Sequence, residues 1–302
     1  MERSSIYGSM EQMIYGITGN TAKDELWPLV QQLKNWMDKK NIAYQLHTSI
    51  VDGLLKRAMI SAENAEKISA SKLTQTSDII LSIGGDGTLM HTAFEVGTSD
   101  IPILGINIGY LGFLADVEAS KIEHAVRLLE DGRYTIEERM VLALSGPHTG
   151  LALNDIVITR KPASGLSAID IQVDATRLNR YWGDGLIIAT PTGSTAYSLA
   201  VGGPIVMPGS NVVIVSPVAP HSLTVRPIVL PAQAVLTIQL AAVSSDCTIA
   251  LDGRTHTIAG KKTPYTVRRA NHSIRLVRFE DMHYFSTLRS KLSWGMGPQT
   301  LI

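Results

Sequence analysis

The apolar residues of this chain change period once, near residue 140, and that change limits the folds open to it. Before it, short apolar runs alternate with segments of helical spacing. Met13-Ile14-Tyr15-Gly16-Ile17 reads as the first strand, and Trp27, Leu29, Val30, Leu33, Trp36 and Met37 then share one helix face. Ile79–Ile83 and Ile103–Ile106 are near-continuous apolar strands, as in a parallel sheet covered by helices on both faces. Ile122, Ala125, Val126 and Leu129 mark one more helix. After residue 140 the period is two. Ile169–Asp174 alternates strictly, and Val212–Ser216, Val235–Leu240, Thr248–Leu251 and Ile274–Val277 read as strands. The expected architecture is an α/β, Rossmann-like N-terminal domain over residues 10–140, then an all-β sandwich over 141–280. The segment 281–302, helical again from Phe285 to Leu292, is expected to pack back on the first domain, and residues 1–9 are set aside as a leader.

Composition removes several classes of function. Lys plus Arg and Asp plus Glu balance at 27 each, so no global field recruits nucleic acid or an acidic membrane. A single cysteine, Cys247, excludes an internal disulfide and a cysteine-based metal cage; its place in an alternating run marks it as a packing residue. No stretch approaches the roughly 20 apolar residues of a membrane span, and no basic segment leads into an apolar one at the N-terminus. A soluble cytoplasmic protein is expected.

Two stretches carry the chemistry. The first is Ile79-Ile80-Leu81-Ser82-Ile83-Gly84-Gly85-Asp86-Gly87-Thr88, followed by Leu89, Ala93 and Val96 at helical spacing. Strand, glycine turn and helix in that order put backbone N–H groups at a helix N-terminus, where a phosphate is favoured. Gly84, Gly85 and Gly87 allow close approach of backbone to ligand, and Thr88 adds a hydroxyl. Asp86 is the odd element. An anion among phosphates repels them unless it binds Mg²⁺ or takes a proton from a nucleophile, so the combination points to phosphoryl transfer. The Asn107–Phe113 turn ends the next strand and is expected to share a crevice with Gly84–Thr88.

The second stretch runs from Gly183 to Ser198. Its part from Thr190 to Ser198 holds five hydroxyls besides Tyr197, able to bond ribose or phosphate while Tyr197 lies against a base. Asp184 sits in a glycine triplet that also suits a hairpin turn. Asn154-Asp155 interrupts an apolar run and is either a bulge or an adenine and ribose contact. Asp252-Gly253 is a tight turn by default. His221 reads as a satisfied loop histidine or a ligand contact, and His91 faces solvent or ligand.

With these motifs in order, the chain closely resembles the NAD kinases, which phosphorylate NAD to NADP, from about Tyr15 to Trp294. The resemblance also covers Gly202-Gly203-Pro204-Ile205, Pro220-His221-Ser222-Leu223 and Arg226-Pro227. It implies a phosphofructokinase-like first domain and transfer of the ATP γ-phosphate to the 2′-hydroxyl of the adenosine ribose. Asp86 matches the family's proton acceptor, and Asp252 a carboxylate near it. Gly84, Gly85, Gly87 and Thr88 match the phosphate-binding positions, and Asp86 and Gly87 also face NAD. Asn154 and Asp155 match the contacts of the adenosine half, and Asp184 the nicotinamide side. Thr195, Ala196, Tyr197, Ser198, Leu199 and Ala200 match the segment lining the dinucleotide. Mg²⁺ would accompany ATP, polyphosphate is an alternative donor, and a homodimer or homotetramer is implied. Trp182, Gly165 and Arg254 depart from relatives and bear on the nicotinamide-side contacts and so on the choice between NAD and NADH, while His91 and His221 are further possible site residues. Two rivals are a lipid kinase of the diacylglycerol or sphingosine type and a non-enzymatic dinucleotide sensor. The first leaves Gly183–Ser198 unexplained and the second leaves Asp86 unexplained.

Overall fold

A computed structural model describes residues 12–110, 112–161, 167–241, 247–258 and 263–294. The chain divides into two units, one holding residues up to Glu137 and from Arg275 onward, the other Glu138–Ile274. The N-terminal unit contains β1 (Ile14–Gly19), α1 (Leu26–Lys40), β2 (Ala43–His47), α2 (Thr48–Lys56), α3 (Ala62–Ile68) and β3 (Ser69–Ala70). It continues through β4 (Ile79–Gly84), α4 (Asp86–Val96), β5 (Ile103–Asn107), β6 (Val117–Glu118) and α5 (Ile122–Glu130). The remaining elements are β7 (Thr135–Ser145), β8 (Gly150–Ala152), β9 (Asp155–Arg160), β10 (Ser167–Val173), β11 (Thr176–Gly183), β12 (Gly185–Ala189) and α6 (Tyr197–Ala200). Then come β13 (Val212–Val218), β14 (Ile228–Pro231), β15 (Leu236–Leu240), β16 (Cys247–Leu251), β17 (Arg254–Ile258), β18 (Tyr265–Arg278) and α7 (Tyr284–Leu292).

In the α/β unit the strands lie in the order β5-β4-β1-β2-β3, every pair parallel. Parallel strands need crossovers, and here helices supply them, which buries both faces of the sheet. Strand β4 is accordingly buried at all six positions. Tyr15, Ile17, Leu33, Leu46, Leu81, Ile83, Leu104 and Ile106 share one core with the apolar stripes of α1, α2 and α5. Trp27 is core, as expected; Trp36 packs against it and carries Arg127 over its ring. Arg278, at the end of β18, binds Glu137 (2.7 Å) and Asp116 (2.9 Å), and Leu276 pairs with Ile103 of β5. The C-terminal part of the chain is thereby fixed in this unit.

The second unit is a β-sandwich. One sheet has the order β14-β13-β12-β9-β16-β17, all antiparallel. The other contains β11-β10-β15-β18, also antiparallel. Their inner faces share one core: Ile156, Ile158, Leu186, Ile188 and Ile249 from the first, and Ile169, Ile171, Ile238 and Val267 from the second. Cys247 is wholly buried there, a packing residue. The outer face of β9, β12 and β13 is buried too, through Val157, Ile187, Ala189 and Ile214 under Val201 and Val206. That second burial explains why β12 is a continuous apolar run and not an alternating one. Among the described residues no helix is long and apolar enough to cross a membrane.

Candidate active site

Strand β4 ends at Gly84 and α4 begins at Asp86, so one residue, Gly85, turns the corner. The Gly85 N–H donates to Thr88 Oγ1 at 3.4 Å and the Gly85 carbonyl accepts the Thr88 N–H at 3.0 Å, so among the described residues the first-turn amides at the corner are those of Asp86 and Gly87. Asp86 is the first residue of that helix. Its carboxylate reaches the loop after β5 and accepts three successive backbone N–H groups: Phe113 on Oδ2 (2.8 Å), and Leu114 and Ala115 on Oδ1 (3.0 Å each). Gly112 makes this possible, because a Cβ there would overlap Asp86 Oδ1. Asn107 holds the loop from its other side, donating from Nδ2 to the carbonyls of Tyr110 and Ala115. The Asn107–Phe113 turn thus touches the Gly84–Thr88 corner through Asp86, and the cavity residues beside that corner come from other segments; Leu111 lies outside the described residues. A carboxylate has about four lone-pair sites. Among the described residues three are taken, so Asp86 is held by three bonds with one acceptor site left, on Oδ2.

Beside the corner lies a cavity of about 610 Å³ in the same unit, walled by Gly85, Gly87 and Thr88 of the motif. The end of β1 adds Asn20, Thr21 and Lys23; β2 and α2 add His47 and Ser49; α4 adds His91 and Glu95. Lys23 Nζ is steadied by the Ile108 carbonyl at 2.7 Å. Among the described residues Glu95 is the sole carboxylate on this wall, and it pairs with His91 at 3.4 Å. The exposed His91 therefore faces a polar cavity.

In the β-sandwich, Asp252 and Gly253 form the two-residue loop of the β16–β17 hairpin, both with positive φ (47° and 79°). Asp-Gly is the pair such a primed turn selects. Turn and site coincide, because the Asp252 carboxylate repeats the pattern of Asp86. Leu153 N–H donates to Oδ2 (2.7 Å), and those of Asn154 and Asp155 to Oδ1 (2.8 and 3.0 Å). The carbonyls of the same three residues are satisfied from Thr190 Oγ1 (2.6 Å), Thr190 N–H (2.9 Å) and Asp252 N–H (3.0 Å). Asn154 and Asp155 are therefore fixed from both sides. Burial, and then the charge of Asp252, push the Asp155 carboxyl up to about 7.

The other expected residues are placed as follows. Asp184 stands between β11 and β12 and pairs with Arg160 at 2.7 Å. Trp182 is exposed, and its carbonyl accepts the N–H of His221, itself exposed. Arg254 donates to the carbonyls of Leu251 (3.2 Å) and Leu151 (2.8 Å), tying its hairpin to the start of the Asn154 loop. Gly165 lies outside the described residues. A 3₁₀ turn (Thr192–Thr195) and α6 carry Thr195, Ala196, Tyr197, Ser198, Leu199 and Ala200. Here the reading of free hydroxyls needs correction. Thr190, Thr192, Ser194 and Ser198 are buried and engaged internally, with the Leu153 carbonyl, Arg139, the Val206 carbonyl and Ser216 respectively. They shape the segment, while Thr195 and Tyr197 retain access to solvent. Sequence reasoning missed Lys23 and the amides of residues 113–115. The turn Gly19-Asn20 after an apolar strand was the available signal for the first; backbone donors leave none.

A glycine corner feeding a helix N-terminus beside a polar cavity that carries Lys23 is the pattern of a nucleotide-handling α/β domain, here joined in the chain to a β-sandwich. Known proteins make the class specific. Residues 15–134 match the ATP-NAD kinase N-terminal domain and residues 153–279 the ATP-NAD kinase C-terminal domain. The NAD kinase of Cytophaga hutchinsonii is 34% identical over 289 residues, covering 94% of this chain and 99% of that one. The NAD kinase of Bacteroides fragilis is 45% identical over 224 residues, 72% of this chain and 77% of its own. In fold, the chain resembles yeast NADH kinase complexed with NADH (TM-score 0.85, 22% identity, covering 95% and 89% of the two chains). It also resembles an Archaeoglobus fulgidus NAD kinase in complex with ATP (TM-score 0.70, 23% identity, 94% and 100%). The chain belongs to the ATP-NAD kinase family.

The raised Asp155 carboxyl makes stability depend on pH with a defined sign. Between the unfolded value near 3.9 and about 7, the folded chain holds a proton that the unfolded chain has lost. Stability therefore falls as pH rises through that window. Asp155→Asn removes the penalty. Urea titrations should show the variant more stable at pH 8, by up to about 4 kcal/mol, with the difference gone near pH 4. A difference independent of pH would contradict the assignment.

Proposed function

We propose that this chain, an NAD kinase by family, moves the γ-phosphate of ATP to the 2′-hydroxyl of the adenosine ribose of NAD, Asp86 accepting the hydroxyl proton. The observation that carries the reading is the one acceptor site that Asp86 keeps open among the described residues, its carboxylate fixed by three N–H groups at the N-terminus of α4. A ribose hydroxyl is a poor nucleophile at neutral pH, and a positioned carboxylate that takes its proton in the transition state removes that difficulty. The amides of the Gly84–Thr88 corner and Lys23 stabilise charge on the transferred phosphate. Asn154 and Asp155 hold the adenosine half, Asn154 reading the base edge and Asp155 accepting from a ribose hydroxyl. Asp184 and the Thr195–Ala200 segment serve the rest of the dinucleotide.

Among the described residues no group of three or more His, Cys, Asp or Glu side chains is placed to hold a metal. Mg²⁺ would come in on the donor's phosphates, keeping most of its waters and needing few protein carboxylates. Glu95, on the cavity wall, would face its water shell. Bound there, the ion would neutralise charge on the phosphates.

Asp86→Asn should lower NADP formation from NAD and ATP roughly 10²–10⁴-fold in a coupled assay. The amide also turns a donor toward the 113–115 N–H groups, so a second variant separates chemistry from placement. Gly112→Ala keeps the carboxylate but displaces it, and turnover should fall at least about tenfold with the base intact. Full activity in Gly112→Ala would mean that the position of Asp86 does not matter.

The acceptor atom is open to direct test. 2′-Deoxy-NAD should bind yet gain no phosphate, as read by mass spectrometry; a phosphorylated product would move the reaction to another hydroxyl. Asn154→Ala should raise the KM for NAD roughly 5- to 150-fold, the loss of a buried polar partner, and leave that for ATP nearly unchanged. The reverse pattern would assign the two nucleotides backwards.

A further inference from the structure

The N–H groups that fix Asp86 belong to a loop, so the carboxylate is only as well placed as that loop. Residues 113–116 lie between β5 and β6, outside the sheet ladder. The Ala115 carbonyl is held locally, by Asn107 Nδ2 and the Gly112 N–H at 3.2 Å each. The other contacts come from the C-terminal end of the same unit. Arg278 Nη1 donates to Asp116 Oδ1 at 2.9 Å and, at 3.5 Å, to the Leu114 carbonyl. Lys291 of α7 sits over the Phe113 ring, 5.6 Å from its centre.

The peptide between Leu114 and Ala115 carries both ends of this chain of contacts. Its carbonyl accepts from Arg278, and its N–H donates to Asp86 Oδ1 at 3.0 Å. A cation on the oxygen and a carboxylate on the N–H polarise the peptide in the same sense, so each bond strengthens the other. Asp86 and Arg278 are thus linked through one peptide unit.

Pairing with Glu137 does not account for this arrangement. Strand β7 pairs with β18, so the bond from Arg278 Nε to Glu137 (2.7 Å) is a contact between neighbouring strands that a lysine could also make. The guanidinium turns its second edge to residues 114–116. A planar fork serves both partners in fixed directions, where an ammonium is a point charge. The Arg278 and Asp116 side chains are 14% and 15% exposed, so solvent screens this pair less than a surface one.

We infer that Arg278 is a positioning residue for phosphotransfer: it holds the 113–116 loop and, through it, the direction in which Asp86 presents its open acceptor site. Lys291 steadies the Phe113 end of the same loop. This rests on the phosphotransfer reading above and adds to it a residue that acts on the base without touching a substrate.

Steady-state kinetics of NADP formation by the full chain separates placement from stability. Arg278→Lys keeps a cation for Glu137 but loses the fork. Its kcat should fall roughly 10- to 100-fold, with the KM values for NAD and ATP within about threefold of wild type. Asp116→Asn weakens the same contact from the other side and should lower kcat in the same way, which keeps the test open should Arg278→Lys not fold. Arg275→Lys is the control for stability. Arg275 also ties β18 down, through the Asp100 carbonyl at 2.9 Å, but outside the loop, and its kcat should stay within about twofold. In an Asp86→Asn background, Arg278→Lys should cost less than about twofold more, because the base it positions is already gone. Wild-type kcat in both Arg278→Lys and Asp116→Asn, an equal fall in Arg275→Lys, or an undiminished loss in the Asp86→Asn background would overturn the inference. Full activity in Asp86→Asn alone would instead overturn the role of Asp86 itself.

Discussion

One interaction recurs and sets the geometry of both units: an aspartate carboxylate gripping three consecutive backbone N–H groups. Asp86 holds residues 113–115 and Asp252 holds residues 153–155, each with one N–H on Oδ2 and two on Oδ1. Each gripped segment lies at or just beside a strand end, where the ladder no longer supplies acceptors. N–H groups bonded to a charged acceptor contribute about 1.5–3 kcal/mol each, and three left unsatisfied would cost at least as much. The carboxylates are therefore structural anchors before they are anything else. Anchoring also defines what Asp86 can do, since one lone pair in a fixed direction is what a positioned proton acceptor requires.

This dual use decides how much of the site was legible in the sequence. The Ile79–Ile83 run, the glycines and the spacing of Leu89, Ala93 and Val96 encode strand, corner and helix locally, and all three form as the pattern implies. Asp252-Gly253 was legible as a turn, and its carboxylate reaches residues 153–155 only because β16 pairs with β9. A partner about a hundred residues away leaves no local trace. The hydroxyl-rich stretch failed for the same reason. Thr190 and Ser198 carry the right chemistry for ribose, but the fold closes β12 and β13 around them and spends their hydroxyls on Leu153 and Ser216.

The fold-level reading succeeded where burial writes itself into composition. Strand β4, covered on both faces, has to be apolar throughout, and β10, between polar and core faces, has to alternate. Strand β12 obeys the first rule inside an antiparallel sheet because Val201 and Val206 cover its outer face. An apolar run therefore reports two-sided burial, whichever way the neighbouring strands run.

Asp155 shows how such a scaffold holds a group at a disadvantage. It sits at the start of β9, 6% exposed, close enough to Asp252 that each charge opposes the other. Burial works against the charge of Asp155, and the nearby charge of Asp252 adds to that. A hydrophobic residue there would remove the penalty, so stability alone does not account for a carboxyl at this position. On the proposed reading, a ribose hydroxyl donates to Asp155 and returns a hydrogen bond that burial took from it. Part of the affinity for the dinucleotide then comes from relieving a strain the free protein carries, an exchange of stability for function. A group held at about 7 would make that exchange sensitive to pH near neutrality, since above that value Asp155 only accepts hydrogen bonds and below it can also donate.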